Sequence, residues 1–332
     1  MAKEHHVWRA LDRARENAET MQIDAASARL VVLSDQHRGR RDGADDFLRA
    51  ERAYNGALAY YLADGYTLLA LGDVEELWEC RARDVIAAYA HTLELEAAFH
   101  QEGRYVRFFG NHDDYWESPG RVKTELGPIF PGLVVHEGLR LSVTGVGRGA
   151  SEIFLVHGHQ GTGGSDQFRA ISKFVVRHVW RPIQRLTGWR LNSPATSFKL
   201  RGETNQAMYG WAKERGDLLL IAGHTHKPVF LQTLRHTERA AATADLEWLH
   251  EIEEAEELGI SGGRPCYFNT GCCSFDDGSC TGIEIADGEI RLVRWPGDED
   301  RPQRKILRSA QLADVVPPGR SSRRTHRQGN LS

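Results

Sequence analysis

Five short clusters of oxygen and nitrogen ligands recur along the chain: Ser34-Asp35-Gln36-His37, Gly72-Asp73, Gly110-Asn111-His112-Asp113, His157-Gly158-His159 and Gly223-His224-Thr225-His226. Alone, each says little, because Gly-Asp and Gly-Asn pairs mostly make turns and His-x-His is often a surface pair. Together they follow one rule, since each comes directly after a short apolar run. Asp and His with an Asn carbonyl, and no thiolate cluster, form a donor set suited to Mn²⁺, Fe or Zn²⁺. Seven or eight such groups exceed what one four- to six-coordinate ion takes. They match two ions roughly 3.5–4 Å apart that share a carboxylate. A water between two such cations loses a proton near neutral pH, so this donor set would supply a hydroxide nucleophile for hydrolysis.

Such groups act together only if the backbone brings them to one place. Residues 30–33 and 67–71 are apolar runs that read as buried strands, and 105–109 reads as a third. Between them, 44–63 and 82–101 have helical spacing and end at Asp64-Gly65 and Gly103. This alternation predicts an α/β sheet covered by helices, with groups that follow strand ends converging on one sheet edge. Residues 133–136 and 139–144 read as a hairpin around Glu137-Gly138. Residues 153–156, 218–222, 229–231, 266–269, 282–285 and 289–293 read as further strands, 165–215 as helical, and 5–21 as a surface helix.

In this order, D-x-H, G-D, G-N-H-D, H-G-H and G-H-T-H resemble the calcineurin-like metallophosphoesterases, over residues 29–295. The resemblance implies an α/β fold, two mixed β-sheets packed as a sandwich flanked by helices, here with a helical cap insertion. It implies that one ion takes Asp35, His37, Asp73 and His226, and the other takes Asp73, Asn111, His157 and His224, with Mn²⁺ the first expectation. His159 stands as the alternative to His157, or as its outer partner. His112 follows ligand Asn111, so it is expected over the site as general acid or electrostatic clamp, with Asp113 orienting its ring. Arg38 and Arg40 follow the D-x-H turn and are candidates for substrate phosphate or, equally, solvated loop residues.

Charge is unevenly spread. The 332 residues hold 42 Lys+Arg against 46 Asp+Glu, a formal net charge of −4. Yet residues 168–202 carry eight Lys/Arg and no acid, 301–332 carry eight Lys/Arg and one acid, and 245–257 carry seven acids and no Lys/Arg. Arg169, Lys173, Arg177, Arg181 and Arg185 recur every fourth residue, one basic stripe on a helix, with Phe168, Ile171, Phe174 and Trp180 nearby. The expected organisation is an N-terminal helix (1–28), a catalytic domain (29–300) with a basic cap insertion (158–216) and an acidic helical insertion (236–262), and a basic, disordered tail (301–332).

The cap resembles that of the UDP-2,3-diacylglucosamine hydrolases, as do Gly72-Asp73-Val74-Glu75-Glu76-Leu77-Trp78-Glu79 and Tyr267-Phe268-Asn269-Thr270-Gly271. That likeness implies a nucleotide- or lipid-linked pyrophosphate substrate bound in part by Arg177 and Arg181. His112 departs from the branch, which carries Arg there. Competing readings are a Ser/Thr-type protein phosphatase, a nucleic-acid phosphodiesterase and a non-catalytic scaffold; filled ligand positions argue against the last. Partners are a phosphorylated small-molecule or lipid-linked substrate, with an anionic membrane or nucleic acid as further surfaces that the basic segments fit. The ordinary soluble composition, five cysteines without a C-x-x-C pair, and an N-terminus lacking an apolar leader lead us to expect a cytoplasmic protein, peripheral at the inner membrane face if its substrate is a lipid.

Overall fold

The computed structural model describes residues 2–147, 149–161, 198–231, 252 and 265–318. In chain order the elements are α1 (Ala2–Asn17), β1 (Glu19–Asp24), β2 (Arg29–Leu33), α2 (Glu51–Ala63), β3 (Thr67–Leu71), α3 (Ala82–Ala88), α4 (Ala90–Gln101), β4 (Tyr105–Phe108), β5 (Val135–His136), β6 (Gly138–Thr144) and β7 (Ser151–Val156). They continue with α5 (Phe198–Arg215), β8 (Leu218–Ala222), β9 (Pro228–Phe230), β10 (Tyr267–Thr270), β11 (Cys280–Ala286), β12 (Glu289–Trp295), β13 (Lys305–Gln311) and a last turn, α6 (Leu312–Val315). Among the described residues the strands form two mixed sheets, ordered β1-β6-β7-β8-β10-β9 and β13-β12-β11-β2-β3-β4-β5.

Apolar runs without alternation explain the layers. In β2, Leu30 and Val32 face the second sheet, packing with Leu69, Leu71, Leu141, Leu155, Ile221 and Phe268. Val31 and Leu33 face the other way, onto Tyr54, Leu58 and Ala97 of α2 and α4. A strand apolar on both faces can bury both only between a sheet and a helix layer. On the far side, Val7, Leu11 and Ala14 of α1 and Trp211 of α5 cover Phe154, Val156, Leu218 and Leu220. The result is the expected α/β sandwich flanked by helices, with strands β2, β3 and β4 parallel and neighbouring.

Several local expectations are corrected. The helix expected over 5–21 stops at Asn17, and Glu19–Asp24 pairs in parallel with β6. Helical spacing at Ala18 and Met21 lost to the open edge of β6, which β1 completes. The expected hairpin at 133–144 is absent: β5 pairs with β4 in one sheet, while β6 pairs with β1 and β7 in the other. The helix at 82–101 is two, broken at Tyr89. The tail expected to be disordered from 301 holds a sheet strand, for β13 pairs with β12 and buries Leu307, and α6 buries Leu312 and Val315. Its net charge concealed a short alternating segment that fits an exposed strand edge. The basic stripe at 169–185, the acidic segment 245–257 and residues after 318 lie, but for Ile252, outside the described residues.

Arg38 is a further correction, because it belongs to the core and not to a substrate surface. It is 0% exposed and ion-paired to Glu96, itself 0% exposed. Its guanidinium lies 5.3 Å from the Phe47 ring centroid and 5.2 Å from that of Tyr54. Tyr54 and Tyr105 hydroxyls donate to Glu96 at 2.9 and 3.1 Å. Burial disfavours the Glu96 charge, but Arg38 outweighs it and holds the carboxyl below its ordinary 4.5. Because the folded value is depressed, this stabilisation is present above pH 4.5 and lost as pH falls through the folded value. Arg38→Met should therefore cost about 3–5 kcal/mol at neutral pH in urea unfolding, by leaving Glu96 buried and unpaired. The deficit should shrink on acidification below pH 4.5, and Arg38→Met with Glu96→Leu should recover most of it.

Candidate metal centre

Each ligand cluster begins where a strand stops. Ser34 follows β2, Gly72 follows β3, His157 follows β7 and Gly223 follows β8; Gly110 lies two residues beyond β4. The chain then turns in an uncommon way. Asp35, His37, Asp73, His224 and His226 have φ of 55°, 51°, 49°, 70° and 59°. They are five of the seven non-glycine residues with positive φ among the described residues. Such conformations cost about 1–3 kcal/mol each and persist only where surrounding structure enforces them. Two glycines admit the crowding. Gly72 has φ 87°, and a Cβ there would stand 2.8 Å from both the Gly110 nitrogen and His157 Nδ1. A Cβ on Gly223 would stand 2.6 Å from Asp35 Oδ2.

These turns collect the side chains into two adjoining groups, Asp35 with His37 and His226, and Asp73 with His157 and His224; within each, the ligand atoms lie within 4.8 Å of one another. His226 Nε2 is 3.2 Å from Asp35 Oδ1, and His37 Nε2 is 3.0 Å from His226 Nε2. His157 Nε2 is 3.1 Å from Asp73 Oδ2. Both carboxylates reach across: His37 Nε2 is 3.8 Å from Asp73 Oδ2, and His157 Nε2 is 3.9 Å from Asp35 Oδ1. His159 joins neither group; its ring centroid lies 5.5 Å from that of His157.

Buried polar atoms at the centre fit cations. Asp35 Oδ1, Asn111 Oδ1, His157 Nε2 and His224 Nε2 are buried and make no hydrogen bond of good geometry. An unmet buried polar atom costs about 1–3 kcal/mol, so four of them in the ligand loops suit a bound cation. Each tips toward oxygen- or nitrogen-liganded metal, and no sulfur lies among them. Protonation carries the same message. Burial opposes charge on His157, but Asp73 and Asp35 outweigh it and push its pKa up to about 9. Burial and the cationic His157 press His224 down to about 3, a neutral imidazole ready to donate its lone pair.

His112 stands at the rim, partly exposed. Its Nδ1 is 2.7 Å from Glu76 Oε2, and its ring stacks on Trp78 with centroids 4.4 Å apart and planes at 16°. The Trp78 indole N–H donates to the Asn111 carbonyl. Burial disfavours a charged His112, yet Glu76 and Asp73 lift it to about 10. The expected partner of this ring, Asp113, is corrected. Its carboxylate accepts the backbone N–H groups of Gly110, Asp73 and Val74 at 2.6, 3.1 and 2.9 Å, stapling two ligand loops together. Glu76, which the sequence reading did not single out, does the orienting, and it also lies 3.2 Å from His37 Nδ1. Its signal was its place three residues after Asp73 in a Glu-rich turn. Arg40 is exposed and lies 3.4 Å from Asp42. Arg177 and Arg181 lie outside the described residues.

Comparison with known proteins agrees with this chemistry. The family described as calcineurin-like phosphoesterase matches residues 28–228, more than half of the chain. Among solved structures, a conserved protein from Streptococcus pneumoniae TIGR4, described as a predicted phosphoesterase, is similar at 13% identity, covering 84% of this chain and 97% of its own, with a TM-score of 0.31. Vacuolar Protein Sorting 29 from Cryptosporidium parvum is similar at 13% identity, covering 86% and 98%, with a TM-score of 0.35. No curated protein matches the chain. With the family matched across all five ligand clusters, the chain belongs to the calcineurin-like phosphoesterases and is a metal-dependent phosphoester hydrolase.

Proposed function

We propose that the chain holds two divalent cations, manganese first among Mn²⁺, Fe and Zn²⁺, and hydrolyses a phosphate ester or pyrophosphate. Asp35, His37, Asp73 and His226 would hold one ion, and Asp73, Asn111, His157 and His224 the other. The observation that carries this reading is the set of four buried ligand atoms without hydrogen bonds, in loops bent into left-handed backbone. When bound, the cations supply an activated water and neutralise charge on the phosphoryl oxygens. The chain's own part is to hold and move protons. Glu76 fixes His112 Nδ1 and Trp78 fixes the ring plane, leaving Nε2 to give a proton to the leaving oxygen. The lift of His112 to about 10 keeps it protonated for that task, an effect that cations on Asp73 would offset in part.

The substrate reading rests on sequence. A basic stripe beside aromatic residues suits an anionic molecule with an apolar part, so we favour a nucleotide- or lipid-linked pyrophosphate, with Arg177 and Arg181 on its phosphates and Arg40 nearer the metals. A lipid-linked substrate would be met peripherally, at the membrane surface; no helix among the described residues is long and apolar enough to cross a membrane.

Asp73→Ala should lose both ions by elemental analysis and reduce hydrolysis of p-nitrophenyl phosphate and its bis-ester to background. Two-ion occupancy in that variant would refute the bridging role. Metal uptake must displace the proton that His157 holds up to about pH 9. Apparent Mn²⁺ affinity should therefore rise with pH from about 7 to 9, by up to about tenfold per unit, with proton release measurable by titration calorimetry in buffers of different ionisation enthalpy. An affinity flat across that range would contradict a neutral His157 ligand. Charge reversal of Arg177 and Arg181 should slow turnover of a lipid-linked nucleotide pyrophosphate and spare p-nitrophenyl phosphate. Equal loss on both would reject the lid role, and preference for a phosphopeptide or DNA in the same panel would replace the substrate reading.

A further inference from the structure

Each ligand group draws on loops from both sheets. Asp35 and His37 follow β2 of the seven-stranded sheet, while His224 and His226 follow β8 of the six-stranded one. Something must hold the two loops in register, because Asp35 and His226 lie only 3.2 Å apart and neither sheet alone sets that distance. The residues in that position are Asn269 to Ser274, none of which is among the ligands assigned above.

Strand β10 lies between β8 and β9, the strands that enter and leave the Gly223–His226 loop. Asn269 is paired with Ala222 on one side and Val229 on the other. Its buried amide points into the base of the loop. Nδ2 donates to the Gly223 carbonyl at 2.6 Å and to Thr225 Oγ1 at 3.1 Å, while Oδ1 accepts the Gly271 N–H at 3.0 Å. The same Nδ2 lies 3.0 Å from the Tyr267 hydroxyl, which donates to Asn205 of α5 at 2.8 Å. The next residues grip the other loop. Thr270 Oγ1 is 2.7 Å from Ser34 Oγ, whose hydroxyl in turn donates to Asp35. The Cys273 N–H reaches the carbonyls of Ser34 and Asp35 at 3.0 and 3.2 Å, and Ser274 Oγ donates to the Asp35 carbonyl at 2.9 Å. The loops are also tied directly, since the His224 N–H donates to Asp35 Oδ2 at 3.0 Å.

We propose that the Asn269–Ser274 segment is the strap that sets the distance between the two sheets' ligand loops, with Asn269 its principal positioning residue. This rests on the ligand assignment above but adds residues that touch no ion. The amide is specified at both ends. Only an NH₂ can meet the Gly223 carbonyl and Thr225 together, and only a carbonyl oxygen can accept from Gly271. Asn269→Asp keeps shape and volume but turns an oxygen toward the Gly223 carbonyl, so it releases the His224–His226 loop from its left-handed turn without opening a cavity. Through Tyr267, the same amide ties the loop to α5, the described end of the helical insertion.

The test compares Mn²⁺ affinity by titration calorimetry on metal-free protein for the wild type, Asn269→Asp, Thr270→Val and Tyr267→Phe, with Asp73→Ala as reference. Circular dichroism establishes that each is folded. Asn269→Asp is expected to weaken binding roughly 10–100-fold, the size seen when residues that orient metal ligands are lost. Its activity should return at saturating Mn²⁺, as a defect in positioning requires and a general loss of structure does not allow. Thr270→Val and Tyr267→Phe, which remove single hydroxyls, are expected to weaken binding roughly fivefold each and carry the test if Asn269→Asp does not fold. Affinities within about twofold of the wild type for the folded variants, with Asp73→Ala failing to bind, would overturn the strap and leave the ligand assignment standing. Undiminished binding by Asp73→Ala would instead overturn the assignment beneath it.

Discussion

Two carboxylates, Asp35 and Asp73, are buried side by side at the junction of the two sheets, and the rest of the structure is arranged around that unfavourable act. Isolated buried charges cost several kcal/mol each, and two of like sign repel. The chain answers with histidines. His157 faces both carboxylates, at 3.9 and 3.1 Å, and His226 and His37 close the ring. Burial opposes charge on His157, but the two carboxylates lift it to about 9, so its proton offsets part of their charge. His224, pressed toward neutrality by its neighbour, cannot share the load. The charge balance is thus partial, which suits a metal-dependent site.

That constraint explains why strain sits where it does. Five left-handed non-glycine residues sit on three ligand loops. Each is held by a neighbour outside the ligand set: Asp113 by accepting three amide N–H groups, Asn269 by satisfying the Gly223 carbonyl, and Arg38 by anchoring the turn after His37 to the helix layer. Residues that a charge-based reading assigns to substrate or to proton transfer are therefore spent on backbone. A buried arginine paired with a glutamate in a cage of tyrosines has no cation left for a phosphate.

The centre was legible in the sequence because its ligands are of rare type, follow strand ends and keep chain order. The parallel strands and the helices between them were legible because strands apolar on both faces have few alternatives. Local patterns failed where a distant partner decided the outcome. Glu19–Asp24 is a strand only because β6 offers an edge about 120 residues away (Glu19 pairs with Leu139), a fact no window of sequence contains. The same holds for the carboxylate that orients His112. Asp113 is adjacent in sequence but its side chain turns inward, whereas Glu76 arrives from another loop. Adjacency misleads when consecutive residues point to opposite sides of a tight turn.

Topology also says why the insertion lies where it does. β7 and β8 are parallel neighbours, so the chain must cross from the end of one to the start of the other. Both strands end at ligands, His157 and His224, on the same edge. The crossover therefore leaves directly from the metal centre, and its described portion, α5, returns along the sheet's outer face under α1. There, Trp8 donates to the Ala207 carbonyl at 3.0 Å, and Arg215 pairs with Asp12. Any length added to this connection is rooted at the ligand His157 on one side and leads back through α5 to His224 on the other. An obligatory crossover is thus a place where added residues start at the chemistry without interrupting a ligand loop, and in sequence the basic stripe falls between His157 and α5.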